Sequence, residues 1–219
     1  MKNETVVITG AGGFIGGELV AEFRRQGYSK IRAVDIKPFD EWYQHFPDVE
    51  NHSLDLNVKS NCDVACRDAS TVYNLAANMG GMGFIENNKA LCMLSVLINT
   101  HMLQSAQEFG VKKFFYSSSA CVYNGDMQTD PNNPGLKEED AYPALAEDGY
   151  GWEKLFSERM CRHFREDFDV RDDKAWLQWI DIRDDKGAPL LSKAPIPTPF
   201  LAAGEPANRN VQRVVRGAA

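Results

Sequence analysis

The stretch "TVVITGAGGFIGGELV", residues 5 to 20, decides how the rest of the chain is read. Thr5 to Thr9 is a short β-branched run of the kind that forms a buried strand, and from Phe14 to about Gln26 the apolar residues recur at helical spacing. Gly10, Gly13 and Gly16 occupy the turn between them. A glycine triplet alone is a weak signal. In a strand-to-helix turn it lets the backbone bend tightly and approach a pyrophosphate, whose charge is met by free N–H groups and the positive end of the helix dipole. Phe14 and Ile15, which open the helix, belong to the same candidate dinucleotide site.

A second strand, "IRAVD", ends at Asp35, nineteen residues after Gly16. That is close to the spacing of about 20 expected for the acid that binds a ribose diol. A carboxylate there would repel a 2′-phosphate, so NAD is expected rather than NADP, although Lys37 lies nearby. A third strand falls around "HSLDL". Asp55 at its end is either an adenine contact, with Leu56 beside it, or an exposed turn aspartate. "TVYNLAA" is a fourth strand, which brings Leu75, Ala76 and Ala77 to the cofactor crevice.

Leu91, Leu94, Ile98, Met102 and Phe109 recur at helical spacing, which predicts one long, mostly buried helix from Glu86 to Phe109. After a glycine stop at Gly110, "KKFFYSSS" is a fifth strand. Strands alternating with helices predict an α/β fold, a Rossmann-type doubly wound parallel sheet. Residues 124 to 148 are rich in Pro, Asn, Asp and Gly and read as a long loop, followed by a helix from Tyr150 to about Phe164. The composition changes after Val170. "AWLQWIDI" has the look of a strand, but from Gly187 onward there are five prolines and no core face. Two regions are therefore expected: a dinucleotide-binding domain over residues 1–170, and a divergent, partly disordered segment over 171–219.

A formal charge of −7 and a pI near 5.2 argue against a nucleic-acid partner, which needs clustered Lys and Arg. No signal-peptide pattern and no run of 18 apolar residues occurs, so no membrane span is expected and the cytoplasm is the expected location. The five cysteines are expected to be reduced. Cys62 and Cys66 share a helical face, but no further ligand completes a zinc site, and they read as structural thiols. The four histidines show no pairing pattern.

In a sheet of this type, ligands bind beyond the carboxyl ends of the strands. The segments there are "NLAANMGGMGF" and "YSSSACVY", and "EDGYGWEK" sets Tyr150 and Lys154 one helical turn apart. GxxGxxG, "NLAA", serines after the fifth strand and Tyr-x-x-x-Lys together resemble the extended short-chain dehydrogenase/reductase superfamily. Within it, "NLAANMGGMGFIENN", "FFYSSSACVY" and "LKEEDAYPALAEDGYGWEKLFSERMCRHF" closely resemble the GDP-mannose 3,5-epimerase family, across about residues 4 to 169.

That resemblance implies an NAD-dependent isomerase of nucleotide sugars. Oxidising C4 of the hexose makes the C3 and C5 protons acidic, so one oxidation activates two centres. It further implies Tyr150 as the base at the C4 hydroxyl, with Lys154 favouring the phenolate and holding the nicotinamide ribose. Ser118 or Ser119 would hold the C4 oxygen, and Cys121 would be the acid or base at C3 and C5. Met79, Gly80, Gly81 and Ala120 would border the sugar. Lys193, in "SKAP" at residues 192–195, would be the second acid/base group. It implies a homodimer through the helix around residues 86–109.

The resemblance stops after Val170, where the family's "HNxYGP" turn is absent, as in a frameshifted or truncated gene or a natural short variant. The alternatives are another NAD-dependent nucleotide-sugar 4-epimerase, dehydratase or reductase, or a dinucleotide-binding module without catalysis.

Overall fold

A computed structural model describes residues 2–128, 136 and 138–168. Lys193, the strand-like "AWLQWIDI" and the whole 171–219 segment lie outside the described residues. Five strands, β1 (Thr5–Thr9), β2 (Ile31–Asp35), β3 (Glu50–Ser53), β4 (Ala69–Asn74) and β5 (Lys113–Tyr116), form one parallel sheet in the order β3-β2-β1-β4-β5. The helices between them are α1 (Phe14–Arg25), α2 (Lys59–Cys66), α3 (Met82–Asn87) and α4 (Lys89–Glu108), and α5 (Asp148–Phe168) follows. The strand order turns outward in both directions from β1 and β4, so the crevice between their carboxyl ends is where a ligand fits.

Side-chain alternation along β1 explains why the sheet is covered on both faces. Val6 and Ile8 face a core with Leu19, Val20 and Phe23 of α1, while Val7 faces the opposite core with Cys62 and Cys66 of α2 and Ile98 and Met102 of α4. Each fully buried side chain of this size contributes about 1.5–3 kcal/mol. The two α2 thiols are fully buried, and burial pushes both up to about 12. They pack as small apolar groups, in keeping with a structural role.

The long helix departs from expectation in two respects. It is two helices, broken at Asn88 (φ −130°, ψ 43°). The side-chain amides of Asn87 and Asn88 donate back to the carbonyls of Gly83 and Phe84, which satisfies the end of α3 and competes with continuation of the helix.

The buried face of α4 is also not the one that hydropathy selects. Ile98 and Met102 are buried as expected, but Leu91 and Leu94 are 47% and 49% exposed and Phe109 is exposed as well. Ser95, Asn99 and Ser105 point inward instead. Each is hydrogen-bonded: Ser95 Oγ accepts from Asn78 N at 2.8 Å, Asn99 Oδ1 from Asn74 Nδ2 at 3.2 Å, and Ser105 Oγ donates to Asp63 Oδ1 at 2.7 Å. The helix turns a polar stripe inward because buried polar groups at the end of β4, in the loop after it and on α2 need partners. At its C-terminus Gly110 (φ +67°) closes the last turn, and Val111 N donates to Ala106 O at 2.8 Å.

The 124–148 segment carries short 3-10 turns at Gly125–Gln128 and Glu138–Ala141. Val122, Ala141, Ala146 and Leu155 bury a small core of their own, which ties this segment to α5.

Candidate active site

The glycine turn lies where its sequence predicts. A Cβ on Gly16 would sit 2.1 Å from Gly10 O, so only glycine allows α1 to start against the end of β1. No side chain caps this helix and no acidic residue occupies its first turn, which leaves the N–H groups around Phe14 and Ile15 for an anion. At the end of β2 the buried Asp35 carboxylate accepts from Gly12 N at 2.9 Å on one oxygen and from Lys37 N at 3.0 Å on the other. One backbone donor per oxygen leaves lone pairs for a ribose diol. Trp42 packs over the same turn: a Cβ on Gly12 would come within 2.8 Å of its indole, and Trp42 Nε1 donates to Lys37 O at 3.0 Å. This turn, the open helix end and the buried carboxylate fit a dinucleotide.

Across the crevice, Thr9 Oγ1 accepts from Leu75 N and Ala76 N, both at 3.1 Å, and donates to Asn74 Oδ1 at 2.7 Å. This one hydroxyl pins the "NLAA" backbone beside the glycine turn. β4 ends at Asn74, so Leu75, Ala76 and Ala77 lie just beyond it. The β3 side is different. Asp55 Oδ1 accepts from Asn57 N and Nδ2 and shapes the entry to α2, while Leu56 lies in the core with its carbonyl accepting from the Cys62 thiol at 3.2 Å. The structure thus brings Asp35 and Leu75–Ala77 to the turn, and it gives the Asp55 carboxylate and the Leu56 side chain local structural work.

After β5 the chain passes through Ser117, Ser118 and Ser119 into a 3-10 turn at Ala120–Val122. Cys121 N donates to Ser119 Oγ at 3.3 Å, and Cys121 O accepts from Glu147 N at 2.9 Å. A Cβ on Gly151 would lie 2.2 Å from Cys121 O. The first turn of α5 is therefore pressed directly onto the thiol-bearing turn, which brings Tyr150 and Cys121 together.

Ser119, rather than Ser118, lies beside the phenol. Burial pushes Tyr150 up to about 12, and the nearby Ser119 hydroxyl opposes that rise. Burial also raises Cys121, and Ser119 again opposes it. Ser118 is buried, and its Oγ has no hydrogen-bond partner among the described residues. Tyr150 Oη donates to Met79 Sδ at 3.5 Å, so the exposed Met79 does border the phenol, with Gly80 and Gly81 next to it in the chain.

Lys154 Nζ donates to Ser117 O at 3.2 Å and lies 4.8 Å above the Tyr116 ring and 5.5 Å from the Tyr150 ring. Burial is the largest influence on the phenol, and it favours the protonated form. Thr9, Asn74, Asn99 and Glu153, none of them singled out by sequence, complete the polar interior of the site. The pairs Thr9–Asn74, Asn74–Asn99, Thr9–Leu75 and Tyr116–Glu153 join residues far apart along the chain, and no local pattern announces them. Among the described residues no cluster of three metal-ligating side chains occurs.

Comparison with known proteins bears on the fold and the family. The chain is 40% identical over 170 residues to GDP-mannose 3,5-epimerase of Arabidopsis thaliana, covering 77% of this chain and 45% of that protein. It is 42% identical over 166 residues to GDP-mannose 3,5-epimerase 1 of Oryza sativa subsp. indica, covering 75% and 43%. It thus spans less than half the length of these curated relatives. Among solved structures, a UDP-galactose 4-epimerase superposes with a TM-score of 0.63 at 27% identity, over 76% of this chain and 53% of that one. The NAD complex of the Thermus thermophilus UDP-glucose 4-epimerase superposes with 0.62 at 20% identity, over 75% and 52%. Residues 6–171 match the model of the NAD dependent epimerase/dehydratase family, and the chain belongs to that family.

Proposed function

We propose that the chain carries the cofactor-binding and catalytic part of a GDP-mannose 3,5-epimerase, which epimerises C3 and C5 through transient oxidation at C4. The observation that carries the reading is the close packing of Tyr150, Ser119 and Cys121, produced by seating α5 on the Cys121 carbonyl. The 40–42% identity to GDP-mannose 3,5-epimerases supports the substrate. In this reading residues 1–170 form the dinucleotide domain, ending close to the family match at residue 171.

Bound NAD would accept the C4 hydride and bring a positive charge beside the phenol. Asp35 would hold a ribose diol, and the Phe14 and Ile15 end of α1 the pyrophosphate. Ser119 would orient the C4 oxygen toward Tyr150, which takes the hydroxyl proton. Its resting pKa of about 12 means that a nearby positive charge has to stabilise the phenolate. Cys121, held as a thiol by burial, would return a proton to the carbanion centre at C3 or C5, and as thiolate would remove one. A second copy of this chain would cover the exposed Leu91 and Leu94 of α4 together with Trp152 and Phe156 of α5.

Incubation of the full chain with NAD and GDP-mannose in deuterated water should place label at C3 and C5 of the sugar, read by NMR. Label at neither carbon would overturn the reaction. Turnover that survives Cys121→Ala would instead mark a 4-epimerase, which has no need of that thiol. NAD binding without turnover of any nucleotide sugar would mark a binding module.

A further inference from the structure

The buried face of α5 holds a charged group to which the proposed chemistry assigns no role. Glu153 is 3% exposed and Lys154, its neighbour, 4%. Glu153 Oε1 accepts from Tyr116 Oη at 3.1 Å and from Ser157 Oγ at 2.8 Å. Its other oxygen, Oε2, has no hydrogen-bond partner among the described residues and lies 3.8 Å from Lys154 Nζ. One end of the carboxylate is thus fastened by two hydroxyls from β5 and α5, and the other is left to face the ammonium. A buried ammonium without a counter-charge tends to lose its proton.

We propose that Glu153 is a positioning residue for Lys154: its Oε2 supplies the negative charge that keeps the buried ammonium charged and aimed past Tyr116 at the Tyr150 edge of the site. The proposal rests on the reading that Tyr150 and Lys154 face the dinucleotide. The remaining groups around Nζ are Tyr116 on β5, the Ser117 carbonyl just beyond that strand, Cys92 on α4, and Glu158 and Cys161 further along α5. Burial pushes Cys161 up to about 12 and also raises Cys92 and Tyr116. All three are neutral near pH 7, which leaves Glu153 and Glu158 as the carboxylates acting on Nζ. Desolvation lowers the Lys154 pKa and the Glu153 charge opposes that more than any other group.

Glu153→Gln separates charge from scaffolding. A glutamine oxygen can still accept from Tyr116 and Ser157, but it offers no charge. Titration of the Lys154 side chain by carbon-13 NMR, on the full chain without dinucleotide and assigned with Lys154→Met, should show an acid constant about tenfold or more larger in E153Q than in the unaltered protein. An unchanged titration in a folded E153Q protein would overturn the proposal.

Thermal stability gives a second readout, which holds even if E153Q folds poorly. Lys154→Met alone strands the Glu153 charge, so adding Glu153→Gln should restore stability to the double variant. A double variant less stable than Lys154→Met would also overturn the proposal. Neither measurement depends on NAD binding or turnover, so the failure of the functional reading is detected separately: it shows as no heat on titrating NAD into the unaltered chain.

Discussion

Tyr150 and Cys121 both rest in their protonated forms, because burial raises each of them. A raised acid is fully protonated below its ordinary pKa and gives up its proton only as pH climbs toward the raised value. Proton removal from C3 and C5 needs the thiolate, so the rate of solvent deuterium exchange should rise as pH goes from about 7 to 9. A rate that is flat or falls over that range would remove Cys121 as the base. Tyr150→Phe should cut exchange by about 10²–10⁴-fold, measured by the same NMR assay, while the chain still binds NAD in calorimetry. Gly16→Ala should act in the opposite order. Its Cβ would fall 2.1 Å from Gly10 O and break the turn, so calorimetry should show NAD binding lost.

α4 shows how an element can be correctly placed by its spacing and yet turned the wrong way by its hydropathy. Its inward Asn99 links Asn74 at the end of β4 to Ser157 on α5, with Nδ2 donating to the Ser157 carbonyl at 3.5 Å. Asn99→Leu would strand the buried Asn74 amide, and urea unfolding should register a loss of about 1–3 kcal/mol. Leu94→Lys, on the outward face, should leave monomer stability within about 0.5 kcal/mol. If a second copy covers this face, sedimentation should show L94K shifted toward monomer. An unaltered chain that is already monomeric at every concentration would reject that interface.

For the molecule as a whole, pH dependence follows from the core thiols. Cys62 and Cys66 hold their protons up to about pH 12 when folded, against an ordinary value of 9.0. Above pH 9 the unfolded chain releases these protons and the folded chain does not. The native state then binds more protons, and stability falls as pH rises from about 9 toward 12. Urea midpoints should drop across that window, and should drop less steeply in Cys62→Ala. Among the described residues no helix is long and apolar enough to cross a membrane.

What could be read along the chain was whatever depends on neighbours in sequence. The glycine turn, Asp35 nineteen residues beyond it, the alternation of strands and helices and the Tyr150–Lys154 spacing are all local patterns, because a turn, a strand period and a helical turn are short-range constraints. Folding settled the long-range pairings. Thr9 reaches Leu75 and Ala76, Asn99 reaches Asn74, Glu153 reaches Tyr116, and the α5 backbone lands on Cys121. These contacts decide which serine lies beside the phenol, which face of α4 is buried, and where the Lys154 charge is balanced. They arise because buried polar groups must find partners wherever the packed sheet and helices bring them.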